Sequence, residues 1–590
     1  MNTMMKYLIR NAGLVLALLY AGTGLAQDDE DLGTETVTVV RSYTPTVSDA
    51  RKIKTLPSLT DSIVLQKKEV NYQINSVPVA STFTPAKGQA AAVEREAPEK
   101  LFNSYASLGL GNYNNALADF YLSRDFDRGN KRIDVGLNHL SSRGDIDGTP
   151  LDTDFYNTGL DVTYSERDRD WEWSAAGGVE HRRYNWYGVD TTLLLNGTQT
   201  VAGIDEVQDY FRGSLEGKVH MEETYFTDAG LTVSRFWDAV ESAENRLKFN
   251  AAFEFPITEE SFGLGIELDY LGGHFENAPQ NQFVNDSDID YQYLIAGIRP
   301  GLLMLRDNLK LRLGARIVTG LDLENNENNF YIYPSVEASY NVLEENVIAY
   351  GGVDGGLDQN SYYDFSQVNP FVSPTLEVTP TDRQYEAYLG LKGQLTPSVS
   401  YNLKGSYTAE NFRPLFILNP INEARNDEKG YIYGNSFRVF YDDIRTLGVF
   451  GELQFSVNRN FSLGVNASVY EYDTETDNPA WNLPNLEGSL TLDYQNDSGW
   501  YLGANLFYVG EREDFASRAQ PGVPPNQFPA QQLTLDGYFD ANVRLGYHIN
   551  PQLSIFARGS NLAGNEYQRW ANFRVQGLQV LGGVSYKFDL

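Results

Sequence analysis

The chain has 590 residues, with 79 acidic against 46 basic side chains, a formal charge of −33 and no cysteine. That balance excludes nucleic acid and other polyanions as partners, and the absence of cysteine excludes a disulfide framework and thiolate chemistry. No apolar run of about twenty residues occurs, so no helix is expected to cross a membrane, and His139, His181, His220, His274 and His548 lie too far apart for a metal site.

The stretch Leu8–Ala21, with Lys6 and Arg10 at its start and Gly24-Leu25-Ala26 after it, predicts a cleaved secretory signal over 1–26, with cleavage after Ala26 or Gln27. An anchoring helix is the alternative. No cysteine follows, so lipid attachment is excluded there. Residues 27–101 then form an extension. Its run Glu35, Thr36, Val37, Thr38, Val39 and Val40 alternates β-branched residues, as strand addition requires. Beyond it, Thr44-Pro45, Leu56-Pro57, Val77-Pro78 and Thr84-Pro85 break regular elements repeatedly. Lys52, Lys54, Lys67 and Lys68 make this segment basic, which suits either a strap at the mouth or in the lumen of a C-terminal barrel, or a solvated tail.

From residue 102 to 590 the pattern has a period of two, returning about every twenty residues between short polar turns. Ten short turns stand at 127–130, 166–170, 221–224, 256–260, 306–309, 342–345, 396–399, 458–460, 496–499 and 550–552. They join twenty strands. A strand near Tyr105–Gly111 precedes them and one over Arg574–Phe588 follows, which makes twenty-two. Near the C-terminus Leu533, Leu535, Phe539, Ala541, Val543, Leu545 and Tyr547 share one face, as do Leu578, Val580, Gly582, Val584, Tyr586 and Phe588. Apolar-out, polar-in strands of about ten residues are those of a transmembrane antiparallel β-barrel, because hydrocarbon leaves no backbone group free to be unsatisfied. The fold class is therefore all-β, with short periplasmic turns, long extracellular loops and both termini periplasmic. Loops are expected near 142–153, 183–206, 236–243, 275–288, 321–328, 357–382, 411–443, 474–482, 512–531 and 561–573. A soluble propeller requires a blade repeat that is not found.

Three stretches carry a resemblance: Asp442-Asp443-Ile444-Arg445-Thr446-Leu447-Gly448-Val449-Phe450-Gly451-Glu452-Leu453, Tyr508-Val509-Gly510-Glu511-Arg512, and Gly559-Ser560-Asn561-Leu562-Ala563-Gly564-Asn565-Glu566-Tyr567. They resemble the closing strands of TonB-dependent outer-membrane receptors, whose barrels have twenty-two strands. The resemblance is strongest after residue 440. By the same resemblance Glu35–Val40 is similar to the TonB box, which pairs with TonB, the inner-membrane energy-coupling protein. It also implies a plug domain filling the lumen, but the Pro-broken segment after Val40 is too short for one and lacks its Arg-Gly and Asp-Gly signatures. Gly583, Tyr586 and Phe588 are similar to the terminal signal read by barrel-assembly machinery, although the chain continues to Asp589-Leu590.

Most of the 38 Tyr, 31 Phe and 7 Trp suit interfacial girdles. Those in predicted loops, Trp186, Tyr187, Tyr362, Tyr363, Phe365, Phe412, Phe416 and Trp570, are candidate ligand or partner contacts, with packing of the loops on themselves as the alternative. The Asp286–Asp290 run lacks the turn glycine and glutamate of a calcium loop, no nucleophile elbow occurs, and no histidine has an evident serine or carboxylate partner at a recognisable spacing in the sequence. No catalytic, cofactor or metal residue is expected, and no enzyme activity. Three functions fit: a receptor for solute uptake or surface ligand binding at the Gram-negative cell outer membrane, with a reduced or missing plug; an assembly-associated barrel that holds other outer-membrane or surface lipoprotein subunits; and a passive porin. Lipid of the outer membrane is a partner in each.

Overall fold

The computed structural model describes residues 100–190, 203–278, 287–420, 430–517 and 530–590; the run Glu35–Val40 lies outside them. The strands, in chain order, are β1 (Ser104–Gly111), β2 (Ala116–Phe126), β3 (Lys131–Ser142), β4 (Phe155–Arg167), β5 (Trp171–Asn185), β6 (Val207–Met221), β7 (Phe226–Asp238), β8 (Ala243–Ile257) and β9 (Glu260–Ala278). There follow β10 (Ser287–Arg306), β11 (Leu309–Asp322), β12 (Glu327–Leu343), β13 (Val347–Asp358), β14 (Thr381–Thr396), β15 (Val399–Leu418), β16 (Phe437–Asn458), β17 (Phe461–Thr474), β18 (Leu486–Gln495) and β19 (Trp500–Val509). The chain closes with β20 (Arg512–Ser517), β21 (Ala530–Leu535), β22 (Tyr538–His548), β23 (Leu553–Ser560), β24 (Gln568–Trp570), β25 (Phe573–Arg574) and β26 (Gln579–Phe588). One helix, α1 (Tyr362–Val368), sits between β13 and β14.

Twenty-two of these strands form one sheet. Each pairs antiparallel with its neighbour in sequence, β19 pairs with β22, β23 with β26, and β26 with β1, so the sheet closes on itself. Closure removes the sheet's long edges. It rests on a close approach at Gly583, opposite Gly109 on β1: a Cβ there would run into the Leu108 carbonyl and the Phe556 ring. Tyr586 and Phe588 lie on the same closing strand, opposite Ala106 and Ser104.

The period of two becomes two surfaces. Leu389, Leu391, Leu403, Val449 and Val469 point outward and are exposed, whereas Lys404 and Glu386 meet across the inner face at 3.4 Å. Exposed apolar side chains all around the wall are stable only against lipid. Tyr340, Tyr494, Trp500 and Tyr586 stand exposed near the short-turn rim as an aromatic girdle. No helix among the described residues is long and apolar enough to cross a membrane.

The ten short turns fall where the sequence places them, and the strand count is twenty-two. Three expectations are corrected. Leu533 and Leu535 are not on a barrel strand: they belong to β21, which pairs only with β20 in a separate hairpin, and Leu535 is buried. The last barrel strand starts at Gln579 rather than Arg574, because Phe573 and Arg574 pair with β24 in a second small hairpin. The loop expected at 411–443 is shorter, since β15 and β16 stay paired out to Leu418 opposite Phe437. Backbone pairing continues beyond the apolar belt because an unpaired strand end forfeits hydrogen bonds wherever a neighbour is available.

Candidate functional site

At the long-loop rim the loops fold over the barrel's mouth and pack on one another. A single buried cluster joins Trp186 from the β5–β6 loop, Tyr362, Phe365 and Phe371 from the β13–β14 segment, Phe416 and Tyr431 from around the β15–β16 loop, and Trp570 and Phe573 from the last loop. These loops are far apart in sequence. Each ring alone is too little apolar surface to hold a loop in place, and contact with rings from other loops supplies the rest.

The β13–β14 segment, residues 359–380, is the centre of this cap. Ser361 starts α1, its hydroxyl accepting from the Asp364 amide at 3.0 Å. The helix reaches the inner ends of β5–β8, five to eight places along the wall from β13. Tyr362 is fully buried. Its hydroxyl donates to Asp238 Oδ2 at 2.7 Å and its amide donates to Glu244 Oε2 at 2.7 Å. Its ring meets Tyr210, Phe236 and Phe275 edge-on at 6.0, 5.1 and 5.0 Å. Arg246 grips Asp269 with two bonds of 2.9 and 2.7 Å and reaches Asp364 at 2.9 Å, and Arg182 donates to Ser366 Oγ at 3.0 Å. Burial, then the neighbouring Asp238 carboxylate, hold the Tyr362 phenol well above its ordinary pKa, so it remains a donor.

Past α1 the segment crosses to other parts of the wall. Phe371 stacks on Phe573 at 3.8 Å, Val372 bridges Phe437 of β16, and Tyr441 of β16 donates to the Glu377 carbonyl at 3.0 Å while accepting from the Thr379 amide at 3.1 Å. Neighbouring loops are fastened to one another: Asn435 Nδ2 donates to the Trp186 carbonyl at 2.5 Å, and Tyr187 donates to the Arg574 carbonyl at 2.8 Å. Burial raises the Tyr187 phenol pKa.

The β20–β21 hairpin leans on the same structure. Asp514 is buried and accepts from the Leu418 and Phe515 amides at 3.1 and 2.7 Å. Burial pushes its carboxyl up to about 6, against these hydrogen bonds. Arg512 donates to the carbonyls of Gln568, at 2.9 Å, and Arg569.

Of the loop aromatics singled out from sequence, Trp186, Tyr362, Phe365, Phe416 and Trp570 meet in the cluster, and Tyr187 and Tyr363 pack against it. Phe412 stands apart: it is exposed, in the left-handed region at φ 54°, at a bulge between Glu410 and Arg413. Sequence reasoning missed Phe371, Phe573, Asp238 and Glu244. The first two lay inside expected loops as single aromatics, and of the two acids Asp238 lies in the expected loop at 236–243 and Glu244 just after it, so position alone did not separate them from solvated loop acids. Among the described residues, no group of three or more His, Asp or Glu side chains is arranged to hold a metal ion.

A family model described as TonB dependent receptor-like, beta-barrel matches residues 97–562. Among solved structures, the chain is similar to the FrpB iron transporter from Neisseria meningitidis, at 10% identity and TM-score 0.61 over 83% of this chain and 82% of that one. It is similar also to the siderophore receptor PirA from Acinetobacter baumannii, at 13% identity and TM-score 0.59 over 82% and 80%. A third is the ferripyoverdine receptor of the outer membrane of Pseudomonas aeruginosa, bound to ferripyoverdine, at 13% identity and TM-score 0.59 over 84% and 73%. At these identities the likeness is one of fold. No curated protein matches the sequence.

Proposed function

This chain belongs to the TonB-dependent receptor-like β-barrel family of the Gram-negative outer membrane, and from that premise we propose that it is a surface receptor for solute uptake or ligand capture, non-catalytic, whose mouth is shut by its own loops in place of a full plug. The observation that carries this reading is the β13–β14 segment tied by Tyr362 to Asp238 and Glu244 on one side and by Val372 and Tyr441 to β16 on the other. A barrel of this strand number leaks if empty. With both termini periplasmic, the long-loop rim faces the cell surface, and a solute enters when the cap moves.

The closed cap disfavours a passive porin, whose lumen stays open. Coupling to TonB rests on the resemblance of Glu35–Val40 to the TonB box, and the short, Pro-broken stretch after Val40 supports a reduced plug. Deleting 35–40 is expected to abolish uptake of whichever solute the cells lose on deletion of the whole chain, at unchanged surface expression; full uptake would remove the coupling. The platform reading is distinguished by purification in mild detergent, where stoichiometric partners that stay bound through gel filtration favour it over a solitary receptor.

A further inference from the structure

The half of β12 nearest the long-loop rim has a backbone edge that no strand covers. β12 pairs with β11 from Glu327, opposite Asp322, to Tyr340, opposite Leu309. Its pairing with β13 begins only at Ser335, opposite Asp354. Beyond that point β13 parts from β12 while it stays paired with β14 as far as Asp358, opposite Thr381. Its register with β14 slips between Asp354 and Gly356, and its last residues pass behind β12. There Leu357 is buried with Ile295, Val318 and Tyr333, and lies so close over β11 that a Cβ on Gly320 would meet it at 2.7 Å. Arg316 of β11 donates to the Leu357 carbonyl at 3.3 Å and pairs with Asp358 at 3.7 Å. These contacts fasten the end of β13 to the inner face of β11, so it does not return to the edge of β12.

Residues 327–334 therefore have a strand on one side only, and among the described residues no other segment bonds to their backbone. Phe330 and Ile332 project outward beside this edge, each 66% exposed, while Tyr331 and Tyr333 stack on the inner side with centroids 5.8 Å apart. An open edge with apolar side chains at alternate positions is a template for one more strand. Its charge is one-sided: Asp322, Glu324 and Glu327 border the tip, and residues 317–382 contain no basic side chain.

A second copy of the chain does not fit this edge. Antiparallel pairing of two identical edges needs a twofold axis through the sheet, which would turn one barrel upside down in the membrane, and parallel pairing would set like backbone groups against each other. A free acyl chain satisfies the two apolar side chains but none of the N–H and C=O groups. We propose that Glu327–Pro334 of β12 is the docking edge for an extended segment of a different protein, apolar at alternate positions and basic where it passes Asp322, Glu324 and Glu327.

The test places a photo-crosslinking amino acid at 330 or 332, and as a control at the lipid-facing position 389, in the full chain in its native membrane. The expected result is that 330 and 332, but not 389, capture the same protein, at neighbouring sites within one segment carrying Lys or Arg. The capture should fall at least tenfold in the Asp322→Lys/Glu327→Lys variant, whose folding is checked by heat-modifiable gel mobility. That segment, made as a peptide, should slow amide exchange at 327–334 at least tenfold in the purified chain. Crosslinks to lipid alone, to a second copy or to nothing would overturn the proposal, as would a captured segment that leaves exchange at 327–334 unchanged.

Discussion

Tyr362→Ala is the perturbation that bears most directly on how the cap is held. The substitution removes a fully buried ring packed against Tyr210, Phe236 and Phe275, which costs about 3–5 kcal/mol. It also deprives the buried Asp238 carboxylate of its 2.7 Å donor, leaving Gln208 and two backbone amides. Taking about 4 kcal/mol for the combined local effect, since the two losses overlap, the population with the 359–380 segment released rises about a thousandfold. Hydrogen exchange of amides in that segment reads this population, while amides of the barrel ladder act as internal controls. Tyr362→Phe keeps the ring and loses only the hydrogen bond to a charged group, worth about 1.5–3 kcal/mol, so exchange should accelerate roughly ten- to a hundredfold. Unchanged exchange over 359–380 in Tyr362→Ala, with the ladder intact, would refute the claim that this residue latches the cap.

The remaining predictions concern the hairpin, the wall and the closure. Asp514 has a raised folded pKa, about 6 against 3.8, so the carboxyl is neutral in docked and released hairpin alike at low pH; docking is strongest below about pH 4 and weakens as pH rises through about 6, by up to about 3 kcal/mol. Exchange at 512–515, corrected for intrinsic rates, should therefore be slower at pH 4 than at pH 7, and Asp514→Asn should flatten the difference; equal protection of the unaltered chain at both pH values would contradict it. Leu389→Arg puts a charge on the lipid-facing side of β14, where Leu389 is exposed, and should cost about 2–4 kcal/mol in urea unfolding from lipid vesicles, whereas Ser406→Arg on the inner side should cost less than half as much. Gly583→Val forces a side chain into the Leu108 carbonyl and the Phe556 ring, so the fraction running as closed barrel on an unheated gel should drop severalfold; normal closure would show that the β26–β1 seam adjusts freely.

The wall was legible because its physics is local and repeated. Alternation across the lipid boundary marks each strand, and short polar turns such as Asn458–Asn460 and Asn550–Gln552 mark one rim. Strand ends on the other rim were not legible, since pairing there no longer needs an apolar outward face: β15 and β16 run on to Leu418 and Phe437 through what reads as loop. The β20–β21 hairpin imitates a barrel strand because Leu533 and Leu535 alternate just as Phe539 and Ala541 do, and only tertiary packing separates them. The cap was legible as a set of unplaced rings but not as an arrangement. Which rings meet depends on loops hundreds of residues apart, and the acids that hold Tyr362 differ from solvated ones only in burial. The departure of β13 from β12 had one local sign, Gly355-Gly356 inside a strand pattern, which suits a bulge.

The central claim is that the loops, rather than the N-terminal extension, close this barrel. Single-channel conductance in planar bilayers tests it most directly, on the mature chain and on the same chain lacking residues 41–100, with heat-modifiable mobility confirming that both are folded. Little steady conductance is expected from either. A large, steady conductance appearing only after the deletion would contradict the claim and make the extension the gate.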